Sequence, residues 1–139
     1  MKQGIYKLSL EEKHTVLHQL ARVMEQRNNI LFAYAYGSFA GDMPFHDIDV
    51  GIYLSTVDQA STLRTAADLA GELEQTVHFP VDVRILNAAP TLFTYHVIQG
   101  LVIVEQDADL RSDLVEQTVR KYLDLKPLIT RGIREAFAA

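Results

Sequence analysis

"AYAYGSFAGDMPFHDIDVGIYL", residues 33–54, is the stretch that decides the fold. An apolar run closes on Gly37-Ser38, a loop follows, and a second apolar run opens by placing Asp47 and Asp49 two positions apart. Alternate residues of a strand share a face. Ile48, Val50, Ile52 and Leu54 therefore fall on one side, and Asp47, Asp49, Gly51 and Tyr53 on the other. Two carboxylates side by side repel each other unless a positive charge lies between them. A metal ion supplies such a charge.

Working outward, Ser9 and Glu12 of "SLEE" form a capping box for a first helix, in which Leu10, Leu17, Leu20, Ala21 and Met24 recur at helical spacing. Asn28 and Asn29 are expected to end it. "ILFAYAY" (30–36) reads as a buried strand and "DIDVGIYL" (47–54) as a second. Residues 58–77 read as a helix with Ala60, Leu63, Ala67, Ala70, Leu73 and Val77 on its apolar stripe. In "PVDVRIL" Val81, Val83 and Ile85 oppose Asp82, Arg84 and Leu86, which makes a third strand. A helix through "TLFTYHVIQ", a short strand "LVIVE" and a long terminal helix from about Asp109 to Phe137, with Pro127 as a kink point, complete an α/β order of elements.

Composition bounds the rest. With 139 residues, 48% hydrophobic and 22% charged, the chain fits one domain spanning 1–139. It has no cysteine, which excludes disulfides and thiolate metal sites. No segment has signal-peptide or membrane-spanning character, so a cytoplasmic location without membrane attachment is expected. The net charge of −5 and the absence of a basic cluster remove the term that dominates nucleic-acid affinity, so no direct nucleic-acid contact is expected.

If the second and third strands are neighbours, Asp47, Asp49 and Asp82 converge at one sheet end. Such oxygen donors suit Mg²⁺, which keeps waters and takes substrate phosphates as further ligands. Two such ions about 3.5–4 Å apart clamp an in-line phosphoryl or nucleotidyl transfer. Gly37 lets the backbone approach a phosphate, and the Ser38 hydroxyl and the amides of the turn can bond its oxygens. A structural alternative for Asp82 is pairing with Arg84. His14 and His18, four apart on a helix, lack a third ligand and read as helix surface. Tyr6, Tyr34, Tyr36, Tyr53, Tyr95 and Tyr122 read as core or interface.

"GSFAGDMPFHDIDV" resembles the Gly-Ser…Asp-x-Asp signature of the DNA polymerase β-like nucleotidyltransferase superfamily, and the chain's size matches the minimal (MNT) branch. The likeness covers nearly the whole chain. "YLDLKPLI" in the terminal helix is similar to MntA-type antitoxins of HEPN/MNT toxin–antitoxin pairs. The resemblance implies a mixed sheet of about four to five strands flanked by helices. It implies that Asp47 and Asp49 hold both Mg²⁺ ions, that Asp82 completes one site and serves as base, and that Gly37 and Ser38 bind ATP. The implied activity is that of a type VII antitoxin: AMP passes from ATP to a tyrosine of a partner HEPN-domain RNase toxin.

Two departures stand out. The loop "FAGDMPF" is short and lacks the Arg carried by many members, which removes a bidentate phosphate contact. His46 stands where a Ser is common, and reads as a solvated loop residue. The length leaves room for a catalytic sheet and its covering helices, hence a half-open cleft that suits a docking protein. Nucleotidyl transfer to a small molecule and a non-catalytic steric antitoxin are the other readings. On the terminal helix Tyr122, Leu125, Leu128 and Ile129, with Arg131 and Arg134, form a candidate docking surface, with core packing as the competing use of the apolar positions.

Overall fold

The computed structural model describes residues 4–138. Helix α1 (Leu10–Glu25) starts at the expected box: Ser9 Oγ accepts from the Glu12 amide at 3.1 Å, and Glu12 accepts from the Ser9 amide at 2.9 Å. Two first-turn donors are thereby satisfied. There follow β1 (Ile30–Tyr36), the one-turn helix α2 (Gly37–Ala40), β2 (Ile48–Leu54), α3 (Gln59–Val77), β3 (Val81–Ile85), α4 (Thr91–Ile98), β4 (Leu101–Glu105) and α5 (Ala108–Phe137). The strands lie in the order β3-β2-β1-β4. β1 is antiparallel to both neighbours, and β2 and β3 are parallel, joined by the α3 crossover. The sheet is mixed, four-stranded and covered by helices.

The apolar face of β2 is Ile48, Val50, Ile52 and Leu54, all buried. They pack with Leu20 and Met24 of α1 and Leu69 and Leu73 of α3. A bulge at Leu31, between the pairs Ile30↔Leu54 and Phe32↔Tyr53, puts Ile30 in this cluster with Ala33 and Ala35. The opposite face buries Phe32, Tyr34, Tyr36, Leu86 and Val97, with Phe93, Leu110 and Leu114 packed on them. Arg111 ties α5 to this face by donating to the Tyr34 hydroxyl at 2.9 Å and to Glu105 at 2.5 Å.

Several expectations need correction. α1 stops at Glu25 with Gln26 as its cap, before the two asparagines. Leu10 is exposed, and the buried stripe is Lys13, Val16, Leu20 and Met24. The stripe of α3 is Ala66, Leu69, Leu73 and Val77, while Ala60, Leu63 and Ala67 face solvent. Alanines at 60, 66, 67 and 70 allow two helical phases, and the bulk of Leu69 decides between them. The terminal helix is as expected: α5 runs from Ala108 to Phe137 with Pro127 inside it. The carbonyl deprived of its partner belongs to Leu123, an exposed residue beside water.

The segment between α2 and β2 is anchored at several points. Phe39 and Phe45 are buried edge to face with ring centroids 5.0 Å apart, and Phe45 meets Phe79 at 5.5 Å. Tyr6 exchanges two backbone hydrogen bonds with Phe45 at 2.8 and 3.0 Å. From beneath, the buried Lys13 donates to the Ala40 carbonyl at 3.0 Å and to Asp42 at 2.5 Å. Among the described residues no helix is long and apolar enough to cross a membrane. Lys13→Ala leaves the Ala40 carbonyl without its donor and is expected to cost about 1–3 kcal/mol. Urea denaturation reads this, and an unchanged midpoint overturns the anchoring role.

Candidate functional site

The site grows from one contact. Tyr36, the last residue of β1, is register partner of Asp49 in β2. The chain then leaves the sheet through Gly37 at φ +76°, a backbone conformation that L side chains rarely adopt. A Cβ on Gly37 would lie 2.6 Å from Asp49 Oδ2. The glycine is thus required by the carboxylate beside it, a reason independent of the phosphate approach expected for it. Ser38 follows in α2, a one-turn helix where a plain loop was expected. Helical turns leave their first N–H groups without intrahelical acceptors.

On its other side Asp49 is register partner of Asp82 across the parallel β2/β3 pair. Asp47 lies one residue before β2 and is partly buried, as are Asp49 and Asp82. The three acids therefore share a sheet end. Asp49 bears the consequence: burial first, then the charges of Asp47 and Asp82, push its carboxyl up to about 6, with Arg84 opposing. Burial and the same carboxylates hold the Tyr36 hydroxyl protonated well above the ordinary phenol range.

This donor set fits a hard divalent cation, because it is all oxygen, crowded with like charge and deficient in counter-charge. It does not form a closed cage. Among the described residues no three acidic or imidazole side chains are already gathered as one metal-ligand group. Asp82 is instead held by Arg84, Nε to Oδ2 at 3.0 Å, so the structural alternative for this residue is realised. Mg²⁺ sites commonly rely on one or two carboxylates, with waters and substrate phosphates completing the shell. Arg84 occupies Oδ2 and leaves Oδ1 of Asp82 for a further partner.

A cleft of about 570 Å³ opens beside this end of the sheet, lined by Gly37, Ser38, Asp49, His96, Gln99 and Leu101 among others. His96 and Gln99 were missed in the sequence because nothing in "YHVIQG" links α4 to a motif more than forty positions earlier. Lys13 had a legible signal, a lysine in phase with Val16, Leu20 and Met24. Other candidates resolve to structural roles. Asp42 pairs with Lys13, and His46 donates from Nδ1 to the Gly4 carbonyl at 3.1 Å. His14 and His18 line the outer side of α1 without a third ligand. Tyr122 stacks on Tyr95 at 3.6 Å between α5 and α4, which takes it out of the docking surface.

The sheet, the Gly-Ser turn and the paired acids define a nucleotide-handling domain. Residues 18–109, which include all four strands, match the family described as polymerase beta, nucleotidyltransferase. The chain belongs to that family. Among curated proteins no sequence matches it significantly. Solved structures share its fold. A chain from the complex of tri-AMPylated Shewanella oneidensis HEPN toxin with MNT antitoxin superposes with TM-score 0.68 at 17% identity, over 91% of this chain and 99% of that one. A chain from a toxin–antitoxin structure with AMP-PNP gives 0.66 at 19% identity, over 94% and 100%. A MntA-HepT toxin–antitoxin structure gives 0.63 at 17% identity, over 94% and 100%.

Two outcomes test the site's electrostatics and sterics. An acid whose folded pKa is raised keeps its proton in the native state after the unfolded chain has released it. Stability of the metal-free protein should therefore fall as pH rises from 3.8 to about 6 and then level off. Asp49→Asn should remove this part of the slope in melting temperatures against pH. Gly37→Ala is expected to destabilise by about 1–3 kcal/mol. Combining it with Asp49→Ala should recover the steric part, a non-additivity that a double-mutant cycle measures.

Proposed function

We propose that the chain is an Mg²⁺-dependent protein adenylyltransferase that moves AMP from ATP to a tyrosine of a partner HEPN-domain toxin, and so serves as its antitoxin. It would act as one minimal nucleotidyltransferase domain in the cytoplasm. The observation that carries the reading is the junction of Gly37-Ser38 with Asp49, next to Asp47 and Asp82, in a chain of this family. Its support is the full-length fold likeness to chains from complexes in which a HEPN toxin is AMPylated or AMP-PNP is present.

The chemistry follows from the residues. Asp47 and Asp49 would hold Mg²⁺, with Asp82 completing one site. When bound, the metal supplies positive charge to the phosphates and lowers the pKa of the attacking hydroxyl. Gly37 and Ser38 hold the phosphate chain. The tyrosine oxygen attacks the α-phosphorus, and its proton goes to Asp82. A new oxygen–phosphorus bond forms, the bond from the α-phosphorus to the bridging oxygen breaks, and pyrophosphate leaves. The exposed far end of α5, with Leu128, Arg131 and Arg134, offers the partner an apolar and basic surface.

One observation favours a steric antitoxin instead: the loop has no Arg, and the nearest Lys, Lys13, is engaged below it. ATP radiolabelled at the α-phosphate separates the readings. With the HEPN partner and Mg²⁺, label should appear on a partner tyrosine and vanish for the Asp47→Ala, Asp49→Ala double variant, whose fold should be intact or slightly more stable. Charge reversal at Arg131 and Arg134 should weaken the complex and leave ATP binding unchanged. A tight complex without label establishes the steric role, and absence of any complex points to a small-molecule acceptor.

A further inference from the structure

The ends of the four strands that face the site form a line. Asp82 is the second residue of β3 and Asp49 the second of β2, Tyr36 ends β1 with Gly37 following it, and Leu101 begins β4. In an in-line displacement the attacking and leaving oxygens lie on opposite sides of the phosphorus. On the adenylyl-transfer reading, on which this inference rests, the acceptor hydroxyl lies at the Asp82 end. The leaving pyrophosphate then points the other way, past Ser38 toward β4. The cleft of about 570 Å³ lies on that side: its lining includes Ser38, His96, Gln99 and Leu101, and excludes Asp82 and Arg84.

That half of the cleft contains no lysine or arginine among its lining residues. Yet pyrophosphate carries the charge that develops as the bond breaks, and donors aimed at it contribute to rate. The exposed side chains with N–H groups there are those of His96 and Gln99. His96 sits in the last turn of α4 with its ring edge to face on Tyr36, centroids 5.5 Å apart and planes at 85°. Tyr36 is buried, so the imidazole rests on a fixed support one ring away from the acids. Gln99 is steadied by donating to the Tyr95 carbonyl at 3.0 Å. Gly100 lets this wall close on β1, since a Cβ there would collide with the Ala35 carbonyl.

We infer that His96, with Gln99 beside it, binds the pyrophosphate half of ATP: the strand order carries the leaving group away from Asp82 and into the cleft whose β4 wall these side chains form. His96 thereby supplies from α4 the donor that the loop after Ser38 lacks. The role is binding the leaving group; proton transfer from the acceptor stays with Asp82.

The test is calorimetric titration of ATP, with AMP measured by competition against ATP, in Mg²⁺ for the wild type, His96→Ala and His96→Arg. His96→Ala should weaken ATP about tenfold, the size of one charge-assisted hydrogen bond, and change AMP less than twofold. His96→Arg should recover most of the loss. Melting temperatures of both variants should match the wild type, because the ring is exposed. Unchanged ATP affinity in His96→Ala overturns the inference and leaves adenylyl transfer standing. Equal losses for ATP and AMP also overturn it, by placing the nucleoside in the cleft, and failure of the Arg variant to recover overturns the donor role. A wild type that binds no ATP overturns the adenylyl-transfer reading itself.

Discussion

The Asp49 carboxylate lies where a side chain at residue 37 would have to begin, and the rest of the site follows from that contact. The register Tyr36↔Asp49 brings the acid to the end of β1, so the chain must turn away at that residue with a positive φ. Only glycine turns there without strain and without striking the carboxylate. The turn it makes is α2, and Gly37, Ser38 and Asp49 line the same cleft. The Gly-Ser turn and the Asp49 carboxylate are therefore one structural unit. The buried faces of β1 and β2 hold one side of it, and Phe39, Phe45 and Lys13 hold the other.

The arrangement is electrostatically unfavourable in the metal-free chain. Asp49 is half-buried beside two further carboxylates, and the cation that opposes them among the described residues is Arg84, itself bonded to Asp82. A fold selected for stability alone would place an apolar residue or an amide at position 49, next to the second hydrophobic cluster. Local conflict of this kind persists where the site needs it and the surrounding core holds it. Here the compensation is visible: Tyr34, Tyr36, Phe32 and Val97 bury the neighbouring surface, and Ile48 and Val50 fix the strand from the other face. Arg84 is mostly exposed, so its bond to Asp82 is screened by water and is the interaction most easily exchanged for an ion.

Much of the fold was legible because its signals were local. The Ser9–Glu12 box, the alternation in 47–54 and the Gly-Ser break each depend on residues within a few positions of one another. So the element order and the acids' shared sheet end could be read from the chain. What escaped depended on tertiary choice. The phase of α3 was undecidable among alanines until Leu69 met β2 and β3. The phase of Lys13 with Val16, Leu20 and Met24 is visible in the chain, but its partners, the Ala40 carbonyl and Asp42, come from the underside of the loop. His96 and Gln99 join the cleft because α4 folds back over β1, a consequence of topology that no spacing encodes. The pairing of Asp82 with Arg84 was legible as an alternative, since residues two apart on a strand can meet on one face.

The chain's own tyrosines bear on what a transferase with this site can modify. Tyr36 is the phenol nearest the acids, yet it is buried and held protonated by burial and by Asp49, which makes it a poor nucleophile. Tyr34 is buried with its hydroxyl accepting from Arg111. Tyr53 is stacked on Phe32, Tyr95 and Tyr122 are stacked on each other, and Tyr6 sits in the ring cluster under the loop. Each of the six rings is held in a packing contact. β3 and β4 are the two edges of the sheet, with Asp82 on the β3 side and the cleft at Ser38 and Leu101 on the β4 side. On the proposed reading, the acceptor oxygen then comes from outside the chain. On that reading the approach to Asp82 and the departure past Ser38 are two ends of one line.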